Sequence, residues 1–222
     1  MFRPPKTPLA IEQIIQNAVL THALPGVAIG IVANNDIVYA KGFGVQSVET
    51  RVPTTMKTLF HMASVSKPFV ATALVQLIEK GRIQLDAPVI TYLPYFKLDD
   101  ERYRDITIQQ MLSHVSGMPD EPDYEWEKPQ YDEGALERYV RSLASLKLIT
   151  PPGEKYAYSN IAFECLGDVI ARVSGMPFDD YVKEYILNPA GMTESTFLKP
   201  EHLPKLSNRL PPADFHIVNS SS

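Results

Sequence analysis

With a single cysteine, Cys165, the chain cannot close an intrachain disulfide, and a disulfide-stapled scaffold is excluded. The lone thiol falls inside the apolar run "IAFECLGDVIARV", where it reads as a buried structural residue. Long hydrophobic runs are missing too: none approaches the roughly 18 to 20 apolar residues that a membrane span needs. The opening "MFRPPKTPLAIEQIIQ" is interrupted by Pro, Gln and Glu, so it has no continuous apolar segment of the signal-peptide kind, and a soluble, cytoplasmic protein is expected. Positive charge is in short supply. Lys and Arg number 21 against 26 Asp and Glu, for a net charge of -5, without the clustered cations that nucleic acid or an anionic membrane would require. The histidines His22, His61, His114, His202 and His216 show no paired ligand spacing, so neither a metal nor another cofactor is expected. "GFG" at 42 to 44 is read as a strand-end turn; no helix start or lysine follows it, as a phosphate loop would need.

What is present is an apolar fraction of 45% in 222 residues, enough for a sizeable core. Ile11, Ile14, Ile15, Ala18 and Val19 form a helical stripe over residues 8–22, closed by "LPG". Two strand-like runs follow, Val27 to Val32 and Ile37 to Ala40, joined by a turn at Asn34, Asn35 and Asp36. From Phe69 to Ile78 the apolar positions return to helical spacing, ended by Lys80 and Gly81. Pro68 has no N–H to donate and is best accommodated in a first turn, which places the start of this helix close to Ser64. "DITIQQMLSHVSGMP", "GALERYVRSLASLKL", "SNIAFECLGDVIARVSG" and "FDDYVKEYIL" read as further helices between Pro- and Gly-bearing loops.

Two short stretches carry candidate chemistry. In "SVSK", Ser64 and Lys67 stand at i and i+3 on a helix face, where Cβ atoms lie about 5 to 6 Å apart, so the amine can fold back on the hydroxyl. In a chain of this composition on the order of one Ser-x-x-Lys match arises by chance, and the pair alone is a weak motif. In "PPGEKYAYSN" a Pro-Gly loop delivers Tyr158 and Asn160 just ahead of a helix. There Tyr158 can be a reactive phenol, or a half-buried aromatic beside a helix cap made by Ser159 or Asn160.

Taken with "GRIQLDAPV", "ITIQQMLSHVSGMP" and "NPAGMTESTF", the stretches "SVSK" and "YSN" resemble the serine β-lactamase and penicillin-binding-protein-like superfamily, class C β-lactamases and related esterases above all. The resemblance runs from about residue 20 to 200, in the family's order. It implies an α+β fold in which an antiparallel sheet flanked by helices meets a mainly helical domain, with the active site in the cleft between them. Residues 1–62 would supply a helix and hairpin of the sheet domain, 63–190 the helical domain, and 191–222 a return segment toward the sheet. By the same carry-over Ser64 is the nucleophile, Lys67 and Tyr158 are its proton-transfer partners, and Asn160 contacts the substrate and Lys67. A lysine and a tyrosine have ordinary pKa values of about 10.4 and 10, so such a pair serves as a base only as a coupled unit. The stretch "PDEPDYEWEKPQYDEG" reads as a solvated acidic loop, but in the family this region roofs the cleft, which would bring Tyr124 and Trp126 to the acyl or leaving group. In the family the segment holding His114 is a structural turn.

The family's third element, a Lys-Thr-Gly or His-x-Gly segment on the strand lining the cleft, has no counterpart: "FHIVNSSS" contains His216 without a glycine at the required offset. The chain is therefore expected to lack the last strands and closing helix, as a truncation, a fragment or a product with a complementary partner. An open strand edge would favour self-association. The expected function is a serine hydrolase that forms an acyl-enzyme on small esters, β-lactams or D-amino-acid amides without a cofactor. The alternative is a catalytically impaired remnant that acts as a binding or assembly module.

Overall fold

The structure, a computed structural model, describes residues 8–120 and 130–197. These fall into two compact units, 8–60 and 61–197.

In the first unit helix α1 spans Pro8–Thr21 and is followed by strands β1, Gly26–Ala33, and β2, Asp36–Gly44, paired antiparallel. The hairpin loop is the two residues Asn34 and Asn35, at φ 53° and 66°, the left-handed pair a type I′ turn demands and asparagine tolerates. Asp36, expected in the turn, instead opens β2 opposite Ala33, because a two-residue loop matches the twist of the strands. The "GFG" stretch is likewise the end of β2 itself, where Gly44 pairs with Gly26. The register slips between Ile31–Tyr39 and Val32–Ile37, which leaves Val38 as a bulge. Glu12 of α1 fastens to β2, accepting from Lys41 Nζ at 2.9 Å and from the Tyr39 hydroxyl at 3.4 Å.

In the second unit a 3₁₀ turn, Ala63–Ser66, runs directly into α2, Lys67–Glu79, with Pro68 in the first turn. Val70, Ala73, Leu74 and Leu77 are all buried, as the i, i+3, i+4, i+7 pattern requires, and each buried leucine contributes about 1.5 to 3 kcal/mol. After 3₁₀ turns at Val89–Thr91 and Glu101–Asp105 come α3, Ile108–Leu112, α4, Ala135–Ser142, α5, Asn160–Ser174, and α6, Phe178–Val182. Helix α5 is the axis of the unit: Ile161, Ala162, Phe163, Cys165, Leu166, Val169 and Ile170 are buried, and α2, α3, α4 and α6 all pack on it. Burial pushes the Cys165 thiol well up. Gly175, at φ 74°, ends α5 in the left-handed cap conformation.

Three of the expected helices are shorter than their apolar patterns, α4 passing at Leu143–Ser145 into a 3₁₀ turn. Helix α3 stops at Leu112 because His114 and Gly117 turn the chain through left-handed φ values of 55° and 78°. A Cβ on Gly117 would stand 2.2 Å from the Thr150 carbonyl oxygen, so only glycine fits. Helix α6 gives way at Lys183–Leu187 to a π-helical turn, with Asn188 N–H bonded to the Lys183 carbonyl at 2.9 Å. The Tyr185 carbonyl within that turn accepts from Gln76 Nε2 of α2 at 3.1 Å.

Inside the α5 interface Asp168 is 5% exposed and accepts a 2.7 Å hydrogen bond from the Tyr95 hydroxyl. Burial raises its carboxyl above the usual range despite that bond. Among the described residues no helix is long and apolar enough to cross a membrane.

Candidate active site

Three segments of the second unit build the site: the start of α2, the loop 113–120 and the loop 149–159. The two loops are zipped together by main-chain bonds, Ile149 N–H to the Gly117 carbonyl at 2.9 Å, Gly153 N–H to Val115 at 2.7 Å and Ala157 N–H to His114 at 2.7 Å. Ser159 continues the ladder. Its N–H donates to His114 Nδ1 at 3.1 Å and its hydroxyl donates to the Pro119 carbonyl at 2.9 Å. The same hydroxyl accepts from Ala162 N–H at 3.2 Å and so caps α5. Each bond satisfies a backbone donor or acceptor of the two loops. Together they deliver residue 158 to the start of α2.

There the Ser64 and Tyr158 hydroxyls lie 2.7 Å apart. Lys67 Nζ donates to Ser64 Oγ at 3.3 Å and to Asn160 Oδ1 in a shorter bond. It also stands over the Tyr158 ring, 4.8 Å from the centroid, and 5.3 Å from that of Phe163. Lys67 is 8% exposed and Asn160 9%, whereas Tyr158 is 37% exposed, so the amine is enclosed while the phenol keeps one side open. Nζ donates to Ser64 Oγ, and between the two hydroxyls either oxygen can be the donor. The residue before the serine, Ala63, sits at φ 44°, a left-handed conformation uncommon for a residue with a Cβ.

Asp120 fixes the amide that faces Lys67. Its Oδ1 accepts from Asn160 N–H at 3.0 Å and its Oδ2 from Asn160 Nδ2 at 3.4 Å, which leaves Asn160 Oδ1 turned to the amine. His114 is held below the ordinary imidazole range, first by burial and then by the positive charge of Lys67, with Asp120 opposing.

A serine, a lysine and a tyrosine in mutual contact at a helix start is the geometry that the sequence resemblance implies. The Beta-lactamase family model matches residues 11–215. The chain belongs to the β-lactamase family. The putative penicillin-binding protein PbpX of Bacillus subtilis (strain 168) is 33% identical over 190 residues, 85% of this chain and 45% of that protein. The octameric penicillin-binding protein homologue from Pyrococcus abyssi superimposes with a TM-score of 0.75 at 31% identity, covering 88% of this chain and 46% of its own. EstCE1, a hydrolase with promiscuous acyltransferase activity, gives 0.71 at 26% identity, over 82% of this chain and 50% of its own. The fold is thus the β-lactamase/transpeptidase-like α+β fold of the serine β-lactamase and penicillin-binding-protein superfamily. The chain spans 38% to 45% of the length of the curated relatives it matches.

Of the residues singled out from sequence, Ser64, Lys67, Tyr158 and Asn160 come together. Tyr124 and Trp126 lie outside the described residues. The two readings of "YSN" prove compatible, because Ser159 caps α5 while Tyr158 reaches Ser64. Asp120 was not foreseen, and the only signal for it was an acidic residue closing the Gly-Met-Pro turn.

Proposed function

We propose that the protein is a serine hydrolase that passes an acyl group through Ser64. The contact of the Ser64 hydroxyl with both the Tyr158 oxygen and Lys67 Nζ supports this reading. Ser64 Oγ attacks the substrate carbonyl carbon while its proton passes to the Tyr158–Lys67 unit, and the carbonyl oxygen becomes an oxyanion. The Ser64 N–H, at the start of the α2 segment, stabilises that oxyanion; one such donor contributes about 3 to 4 kcal/mol. The intermediate collapses, the acyl carbon's bond to the leaving alkoxide or amine breaks, and the proton held by the unit goes to the leaving group. Water then repeats the sequence in reverse roles, its proton passing to the unit and on to Ser64 Oγ as the acid departs. Asn160 contacts the substrate as well as Lys67, and Tyr124 and Trp126 contact the acyl or leaving group. Small esters, β-lactams and D-amino-acid amides are the substrate classes, and no cofactor enters any step.

Incubation with a labelled penicillin and a fluorophosphonate, followed by peptide mass mapping, tests the reading. An adduct on Ser64 that is lost in Ser64→Ala supports it, and a folded wild-type chain without an adduct overturns it. The remnant reading has its own motive in the missing third motif, the Lys-Thr-Gly or His-x-Gly segment. Neither adduct nor ester turnover in a monodisperse, folded sample supports that reading. Self-association through the hairpin edge is part of the proposal, and light scattering of the purified chain measures it.

A further inference from the structure

One residue holds Tyr158 from three directions. The His114 carbonyl accepts from Ala157 N–H at 2.7 Å and His114 Nδ1 accepts from Ser159 N–H at 3.1 Å, so the residues on either side of Tyr158 are tied to the same histidine. Between those two ties the imidazole lies on the phenol ring, with centroids 4.4 Å apart and planes inclined by 29°. Phe163 of α5 lies 5.1 Å from the imidazole at 35°, and Tyr156 meets it edge-on at 5.8 Å. The left-handed backbone at His114, φ 55°, turns its carbonyl and its side chain toward one segment. Such a conformation in a residue with a side chain is held in place by its surroundings.

Because Nδ1 accepts a hydrogen bond, the ring is the neutral tautomer with its hydrogen on Nε2. We propose that His114 is the positioning residue for Tyr158, and that only its neutral imidazole keeps the phenol on Ser64, so that protonating His114 disassembles the proton-transfer site in acid. This rests on the acyl-transfer reading of Ser64.

An imidazolium carries hydrogens on both nitrogens, so Nδ1 would turn a second donor toward the Ser159 N–H. The two donors repel, and the segment 157–159 must give way. That segment carries the 2.7 Å contact to Ser64 and the cap of α5, so a displacement there reaches both. Among the described residues the titratable groups packed around the ring are Lys67, Asp120, Tyr156 and Tyr158. Lys67 opposes a second cation and Asp120 favours one, while burial sides with Lys67. The transition therefore falls below the ordinary imidazole value of about 6.5, with the assembled site on the alkaline side.

Two measurements on the full chain test this. Side-chain NMR of the histidines, with His114 assigned by its absence from His114→Asn, reports the tautomer and the midpoint, and the Tyr158 ring signals report the phenol. The rate of fluorophosphonate labelling of Ser64 from about pH 4 to 8 reports the site. The wild type is expected to show the Nε2–H tautomer, and its labelling rate should fall about tenfold per pH unit below the NMR midpoint. His114→Asn tolerates a left-handed backbone and offers a carbonyl oxygen that does not titrate; it should label about tenfold more slowly than wild type at neutral pH and lose that acid limb. His114→Ala should be slower than wild type at neutral pH and likewise lack the acid limb, with a thermal melt to confirm that it is folded. Hydrogen on Nδ1, Tyr158 signals indifferent to the His114 midpoint, or an unchanged acid limb in His114→Asn would overturn the proposal. A wild type that takes no label at any pH refutes the acyl-transfer reading, while the NMR arm still decides whether the neutral ring holds Tyr158.

Discussion

Replacing Tyr158 by phenylalanine removes one oxygen and little else. The ring keeps its stack on His114 at 4.4 Å and its place beneath Lys67 Nζ at 4.8 Å, while the 2.7 Å contact with Ser64 Oγ is lost. A positioned proton-transfer group contributes about 10² to 10⁴ in rate, which at about 1.36 kcal/mol per decade is about 3 to 5 kcal/mol of transition-state stabilisation. The cost to folding is that of one partly exposed hydroxyl hydrogen bond, about 0.5 to 1.5 kcal/mol. Tyr158→Phe should therefore hydrolyse a chromogenic acetate ester with kcat/KM lowered about 10² to 10⁴-fold, yet unfold at nearly the wild-type temperature. A variant within about threefold of wild type would refute the assignment of the phenolic oxygen, since no proton-transfer role is that small.

Further outcomes follow from the surroundings of the site. Asp120→Ala frees the Asn160 amide, and the loss of a hydrogen bond to a charged group, about 1.5 to 3 kcal/mol, should slow Ser64 labelling about 10 to 100-fold; labelling at the wild-type rate would contradict the positioning role. Gly117→Ala sets a Cβ 2.2 Å from the Thr150 oxygen at φ 78° and should lose more than about 1 kcal/mol in urea unfolding, with slower labelling because the two loops separate. An unchanged midpoint would contradict it. Asp168 has its folded carboxyl pKa raised by burial, so the folded state holds that proton more tightly than the unfolded chain. Its contribution favours folding below the ordinary value of about 3.9 and is lost as pH climbs through the raised one. Asp168→Asn, whose oxygen can still accept from Tyr95, should melt higher than wild type at pH 7, with the gain shrinking toward about pH 4; a lower melting temperature at pH 7 would contradict the sign.

The helices α2 and α5 were legible because their apolar residues repeat at 3.6-residue spacing over three turns or more, and the hairpin because two strand-like runs flank the turn formers Asn34, Asn35 and Asp36, although the loop proper is only the two asparagines. Helix α3 was overread: its apolar pattern continues past Leu112, but the left-handed turn at His114 is a backbone property that a histidine does not announce. The π-turn at 183–187 was hidden for a related reason, since its pattern is also that of an α-helix. Ser64 and Lys67 share a helical turn, so their contact could be argued from spacing. The contacts of Ser64 with Tyr158 and of Lys67 with Asn160 span 94 and 93 residues and came from family resemblance alone. For His114 the resemblance implied only a structural turn and for Asp120 nothing, because their partners sit about 40 to 45 residues away on a loop whose pairing is made by main-chain atoms.

Whether Ser64, Lys67 and Tyr158 act as one proton-transfer unit is measured most directly by a double-mutant cycle on the second-order rate of Ser64 phosphonylation, in wild type, Lys67→Ala, Tyr158→Phe and the double variant. Groups that act together are non-additive, so each single variant should lose about 10² to 10⁴-fold and the double variant no more than about tenfold beyond the worse single. Losses that multiply across the cycle, or single variants that react at the wild-type rate, would contradict the account.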